Sequence, residues 1–172
     1  NTTKILTVSC PHSICTFLLA PKIAAFQVLE PQINVHLVPS NTVLSHTDFS
    51  ADLALRLSSS NSEGLEHRDI ADCSYVLAYS PLVFSSDEQL LKGIYNVPFL
   101  LDDSRDINDA LETLCDDLGI ALSKLNITLR VNDSVPVLLN IMMGAGIGLV
   151  NKLLIRDQIS EVTIKYYSET EV

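Results

Sequence analysis

Residues 97–150 read VPFLLDDSRDINDALETLCDDLGIALSKLNITLRVNDSVPVLLNIMMGAGIGLV, and this stretch decides the architecture. Val97–Leu101 is a short apolar run of strand length. From Ile107 to Leu118 the apolar residues recur at helical spacing, and Gly119 is a stop signal. Ile127–Val131 is again strand-like, Ser134–Met143 is a helix closed by Gly144, and Ile147–Val150 is a third apolar strand. Strands alternating with helices of this length demand crossover connections, and so a parallel-rich α/β sheet.

Working outward, the N-terminal half follows the same logic. Ile5–Val8 reads as a buried strand and Ser9–Ser13 as a polar turn. A helix follows, with Leu19, Ile23 and Phe26 on one face. Pro21 should kink it or mark its start, and Pro31 ends it. Ile33–Val38 and Asp52–Leu57 are predicted strands, Ser58–Gly64 a polar loop, and Cys73–Tyr79 a strong strand stopped by Ser80-Pro81. Two such runs in 172 residues predict two lobes, with approximate limits 1–75 and 76–150, a return segment 151–172, and the Cys73–Tyr79 strand crossing between the lobes.

Bulk composition narrows the function. Hydrophobic residues are 47% and charged residues 19%, enough for a folded core. The formal net charge is -10, and there is no Lys/Arg cluster beyond the scattered Lys152, Arg156 and Lys165. An acidic surface repels phosphate backbones, so this chain is not expected to grip DNA itself. The uninterrupted apolar runs are too short to span a bilayer, and no membrane partner is expected. Cys10, Cys15, Cys73 and Cys115 form no CxxC and no zinc spacing. They read as reduced, mostly buried thiols, which suit a cytoplasmic protein.

Two motifs fail on inspection. Gly144-Ala145-Gly146-Ile147-Gly148 has the helix before and the strand after, the reverse of a dinucleotide fingerprint, so close packing of helix and strand is the better account. Asp102–Asp106 opens like a calcium loop, but Ile107 and Thr113 stand where glycine and glutamate are required. With Asp109, Glu112, Asp116 and Asp117 it reads as a solvated helix face. The four histidines stand apart, and there is no nucleophile elbow, paired-carboxylate signal or P-loop. No enzyme activity, metal or cofactor is expected.

What remains is a set of strand-to-helix turns, where ligands of open α/β sheets bind. Ser9, His12 and Ser13 surround the first, with backbone N–H groups and a helix dipole that favour an anion. Simple N-capping by Ser13 would explain the same residues. Ser40, Asn41 and Thr42 follow the second strand. Asn132 and Asp133 occupy the corresponding turn of the second half, where Asp133 or Ser134 could equally be a helix cap.

Several blocks together resemble the effector-binding domain of LysR-type transcription regulators. They are Phe17–Gln27 followed by Pro31, Ile33, Val35 and Leu37; Asp48-Phe49 with Ala51–Leu57; Ser80-Pro81; and Met143–Val150. The order covers nearly the whole chain, and its flavour is that of the glycine-cleavage activator and its β-lactamase-regulator relatives. The absence of any Trp and a short C-terminal end depart from the family pattern.

The resemblance implies an α/β fold of two Rossmann-like lobes of the type II periplasmic-binding-protein kind, hinged by crossing strands. It implies a small polar effector in the inter-lobe cleft, held by Ser9, His12, Ser13, Ser40, Asn41, Thr42, Asn132 and Asp133. It further implies a homodimer or homotetramer, and promoter DNA bound only through an N-terminal winged helix-turn-helix that is absent from this chain. A transport-type solute-binding protein is the alternative reading.

Overall fold

The computed structural model describes residues 3–41, 50–57 and 64–168. The chain divides into two compact units, Asn1–Asp72 and Cys73–Val172.

In the first unit, β1 (Lys4–Cys10) is central, with β2 (Ile33–Pro39) and β3 (Leu53–Ala54) parallel on either side. β1 is longer than the predicted Ile5–Val8, because Ser9 and Cys10 continue the ladder opposite Val38 and Pro39. The expected polar turn therefore shrinks, and the helix starts directly at His12. Only two residues of the predicted Asp52–Leu57 strand pair, beside Val8 and Ser9.

The helical run α1 (His12–Leu29) is irregular. An α turn at His12–Ile14 passes into a π segment at Cys15–Leu19, then a 3-10 turn at Ala20–Lys22, then α-helix at Ile23–Leu29. Pro21 accounts for the tightened turn, since it lacks an N–H and its ring displaces the carbonyl one turn back. The run spans 18 residues with a mean hydropathy of 1.4, and 11% of it is buried. By length and composition alone it is long enough to cross a membrane. Counting only uninterrupted apolar residues misses this, because Thr16, Lys22 and Gln27 break the run without making it polar overall.

The second unit holds most of the core. β5 (Pro98–Asp102) and β6 (Asn126–Val131) are parallel, and β5 also bridges to Ile147 at the head of β7 (Gly148–Asn151). β4 (Tyr75–Tyr79) lies antiparallel between β7 and β8 (Lys165–Tyr166). Of the helices, α2 (Asp87–Gly93) is capped by Ser86, whose Oγ accepts from Gln89 N–H. That helix was not visible in the sequence, because its polar first turn hides the pattern.

α3 (Arg105–Leu118) buries Ile107, Ala110, Leu111, Leu114 and Cys115 against the sheet, and ends where Gly119 turns left-handed at φ 65°. α4 (Ser134–Met142) and the short α5 (Arg156–Ser160) complete the unit. The segment 151–168 stays with this unit: Tyr167 N–H donates to Leu77 O, and Asp87 accepts from Tyr79 Oη and from Ser168 N and Oγ.

The glycine block behaves as a packing device. A Cβ on Gly148 would stand 2.6 Å from Leu100 O and 3.1 Å from Val137 of α4. A Cβ on Gly146 would stand 2.6 Å from Pro98 O. The close approach is thus strand against strand as well as helix against strand.

Candidate functional site

The carboxyl ends of β1, β2 and β3 bring the predicted residues of the first unit to one edge. Ser9 and Ser13 are buried, at 1% and 7% exposure. Ser13 does not cap the helix: the N-cap position is Pro11, no side-chain cap bond is made, and Ser13 lies inside the first turn. The polar capping role falls to Asn41, whose Oδ1 accepts from His12 N–H at 3.1 Å across the loop after β2. Ser40 N–H donates to Cys10 O at 2.7 Å, closing the ladder at this edge. Thr42 lies outside the described residues.

Arg56 joins this group, although the sequence reading did not select it. Its Nη2 donates to Ser9 Oγ at 2.8 Å and its Nη1 to Leu55 O at 2.7 Å. The sequence reading placed Arg56 inside the predicted Asp52–Leu57 strand, and it falls past a strand's carboxyl end only because β3 stops at Ala54. The edge thus offers buried hydroxyls beside a guanidinium, a combination suited to a carboxylate or similar anion.

In the second unit, β5, β6 and β7 all end at one edge, and antiparallel β4 begins there. Asp133 caps α4, with its Oδ1 accepting from Val135 N–H at 2.8 Å, while Asn132 beside it is exposed. Asp102, expected on a solvated face, is buried at 6% exposure. It accepts from Ser134 Oγ at 2.5 Å and from Ser104 N–H at 3.1 Å. Burial raises its carboxyl above the usual range and nearby Asp133 adds to this, outweighing the bonds from Ser134 and Ser104. The other acids of that stretch are exposed as expected.

Tyr75 shares the edge. Its hydroxyl is pushed up to about 12 by burial, reinforced by Asp106, Cys73 and Asp102. Asn151, 3% exposed, directs Oδ1 to Leu153 N–H, while its buried Nδ2 has no hydrogen-bond partner among the described residues. Among the described residues no group of three or more His, Cys, Asp or Glu could hold a metal.

The family model described as the LysR substrate binding domain matches residues 2–168. The chain belongs to that family. No protein among the curated sequences matches it. Among solved structures, the effector domain of the transcriptional regulator AmpR of Pseudomonas aeruginosa is 20% identical, with a TM-score of 0.74 over 98% of this chain and 81% of that one.

The regulatory domain of CrgA from Neisseria meningitidis, a LysR-type transcriptional regulator, is 20% identical with a TM-score of 0.72 over 98% and 85%. The AmpR effector binding domain from Citrobacter freundii is 16% identical with a TM-score of 0.72 over 99% and 84%. At these identities the likeness establishes the fold, which is the α/β fold of the type II periplasmic-binding-protein kind.

This LysR-family chain is the effector-binding domain of a transcription regulator, and the transport-type alternative gives way to that reading. The family is a regulatory class, not an enzyme class. Its members bind small-molecule effectors and DNA and form oligomers.

Proposed function

We propose that this domain senses a small polar anion, and that Ser9, His12, Ser13, Ser40, Asn41 and Thr42 of the first unit, with Asn132 and Asp133 of the second, contact it. The observation that carries the reading is the Arg56 guanidinium bonded to buried Ser9 beside buried Ser13 at the carboxyl ends of three parallel strands. Contacts from both units are required by the mechanism. A ligand shifts an equilibrium between arrangements only by its differential affinity for them, so one held by a single unit cannot bias the pair.

Within the family we place the chain in the glycine-cleavage-activator-like subgroup, a reading supported by its ordered sequence blocks. Self-association as a homodimer or homotetramer would run through the helix around Phe17–Phe26 and the segment 43–49, which lies outside the described residues. Promoter DNA would be bound through a winged helix-turn-helix outside this chain, consistent with a net charge of -10 here. A regulator of that kind works in the cytoplasm, where bacterial DNA lies.

Native mass spectrometry of the purified domain identifies what co-purifies, and titration calorimetry with that compound tests the contacts. Ser13→Ala and Asn132→Ala should each weaken binding about tenfold or more, from the loss of about 1.5–3 kcal/mol per charge-assisted bond. If Asn132→Ala leaves affinity unchanged while Ser13→Ala abolishes it, the ligand does not engage both units and the mechanism fails.

A further inference from the structure

Asp102 ends β5 and is 6% exposed. Its register partner is Val131, the last residue of β6, so it stands at the same edge as Asn132 and Asp133, which follow Val131 in the chain. The effector contacts proposed above do not include it.

Two hydrogen bonds hold its carboxylate in place. Ser134 Oγ, in the first turn of α4, donates to Oδ2 at 2.5 Å, and Ser104 N–H, just ahead of α3, donates to Oδ1 at 3.1 Å. A carboxylate offers about four acceptor positions, so each oxygen keeps capacity for another donor. Among the described residues no Lys, Arg or His forms an ion pair with Asp102. The arginines nearest to it in register and sequence are paired with other acids. Arg130, the register partner of Leu101, lies 3.6 Å from Asp103, and Arg105 lies 3.9 Å from Asp109.

A buried charge is normally paired, because neutral hydrogen bonds alone do not repay the loss of water. Asp102 departs from that rule at the carboxyl end of a strand, where ligands of open α/β sheets bind. An ammonium group brought by a ligand would supply the missing charge and use the spare acceptor positions.

We propose that Asp102 receives a protonated amino group of the effector, which makes the ligand an amino-carboxylate, the chemistry shared by free amino acids and short peptides with free termini. The inference deepens the function proposed above and rests on it: the carboxylate goes to the Arg56 edge of the first unit, and the ammonium to the β5 edge of the second. Each edge by itself has the matching character. The first holds a guanidinium beside buried hydroxyls, and the second a carboxylate without a cation. Asp102 then sets specificity. A carboxylate lacking the amine leaves the buried charge unpaired, and a site built to bond a polar group discriminates strongly against the analogue without it.

The test screens the domain by thermal shift against free amino acids, di- and tripeptides, and amine-free carboxylates, followed by titration calorimetry. For every amino acid or peptide that binds, the matching 2-hydroxy acid or N-terminal hydroxy analogue is titrated beside it; this keeps the carboxylate and side chains and replaces only the ammonium. The hydroxy analogue should bind about tenfold or more weakly, as expected for loss of a charge-assisted bond. Asp102→Asn should weaken the amino ligand by a similar factor and leave its hydroxy analogue unchanged, so that the two converge. A residue that only anchors α4 would move both ligands alike and leave their ratio as it was. Hits among amino acids or among peptides tell which source supplies the group.

The proposal is overturned if no amino-carboxylate binds, if the hydroxy analogue binds wild type as tightly, or if Asp102→Asn leaves the ratio unchanged. Tight binding of amine-free carboxylates overturns it while the anion reading stands. Amines without a carboxylate as the bound compounds would overturn both.

Discussion

At the scale of single residues, Asp102 shows a site group that opposes stability. Its carboxyl sits above the unfolded value of about 3.9 because burial disfavours the charge. The folded chain then binds the proton more tightly than the unfolded one, so stability falls as pH rises from that unfolded value through the folded one. Asn at this position retains an oxygen for Ser104 N–H and never ionises. Asp102→Asn should therefore match wild type in thermal midpoint below the window and exceed it at neutral pH, the gap opening as pH rises. Thermal melts across the acid range check this; a variant less stable at neutral pH than in acid, relative to wild type, would contradict it.

At the scale of elements, the glycine block decides how closely β5 and β7 approach. Gly148 is buried, and an added Cβ would meet the Leu100 carbonyl, a backbone atom that cannot swing aside. Gly148→Ala should cost about 1–3 kcal/mol through overpacking, read as a lowered denaturant midpoint with an unchanged slope. Gly119, at the end of α3, marks the contrast. A Cβ there meets nothing, and only its left-handed φ of 65° resists substitution. Gly119→Ala should cost about 1 kcal/mol, so the two variants separate steric from conformational demand.

At the scale of the whole molecule, the helical run of the first unit leaves apolar side chains exposed. Val28 and Leu29 at the end of α1 are 80% and 77% exposed, and Ile5 and Leu53 of the same unit are exposed as well. A helix that is apolar and only 11% buried calls for a partner, and a second copy of the chain is the occupant proposed above. Sedimentation should give a dimer whose dissociation is promoted by Leu29→Asp. A strict monomer at high concentration in the unsubstituted domain would count against self-association through this helix.

The sequence by itself determined the α/β alternation, because periods of two and near four are properties of neighbouring residues along the chain. It also determined the family, through blocks whose order survives low identity, and the turn at Asn132-Asp133, whereas the turn read at Ser9–Ser13 reduces to Pro11 between β1 and the helix. Only the tertiary structure decided which polar groups at those turns are buried and against what. Arg56 reaches Ser9 across 47 positions and Ser134 reaches Asp102 across 32, separations at which local pattern carries no signal. The continuation of β1 to Cys10 is set by the ladder with β2, and no local preference of Ser9 or Cys10 announces it. Ionisation follows the same division: the sequence supplied an acidic stretch from Asp102 to Asp106, and burial at the end of β5 singled out Asp102, because desolvation depends on what the rest of the chain places around a charge.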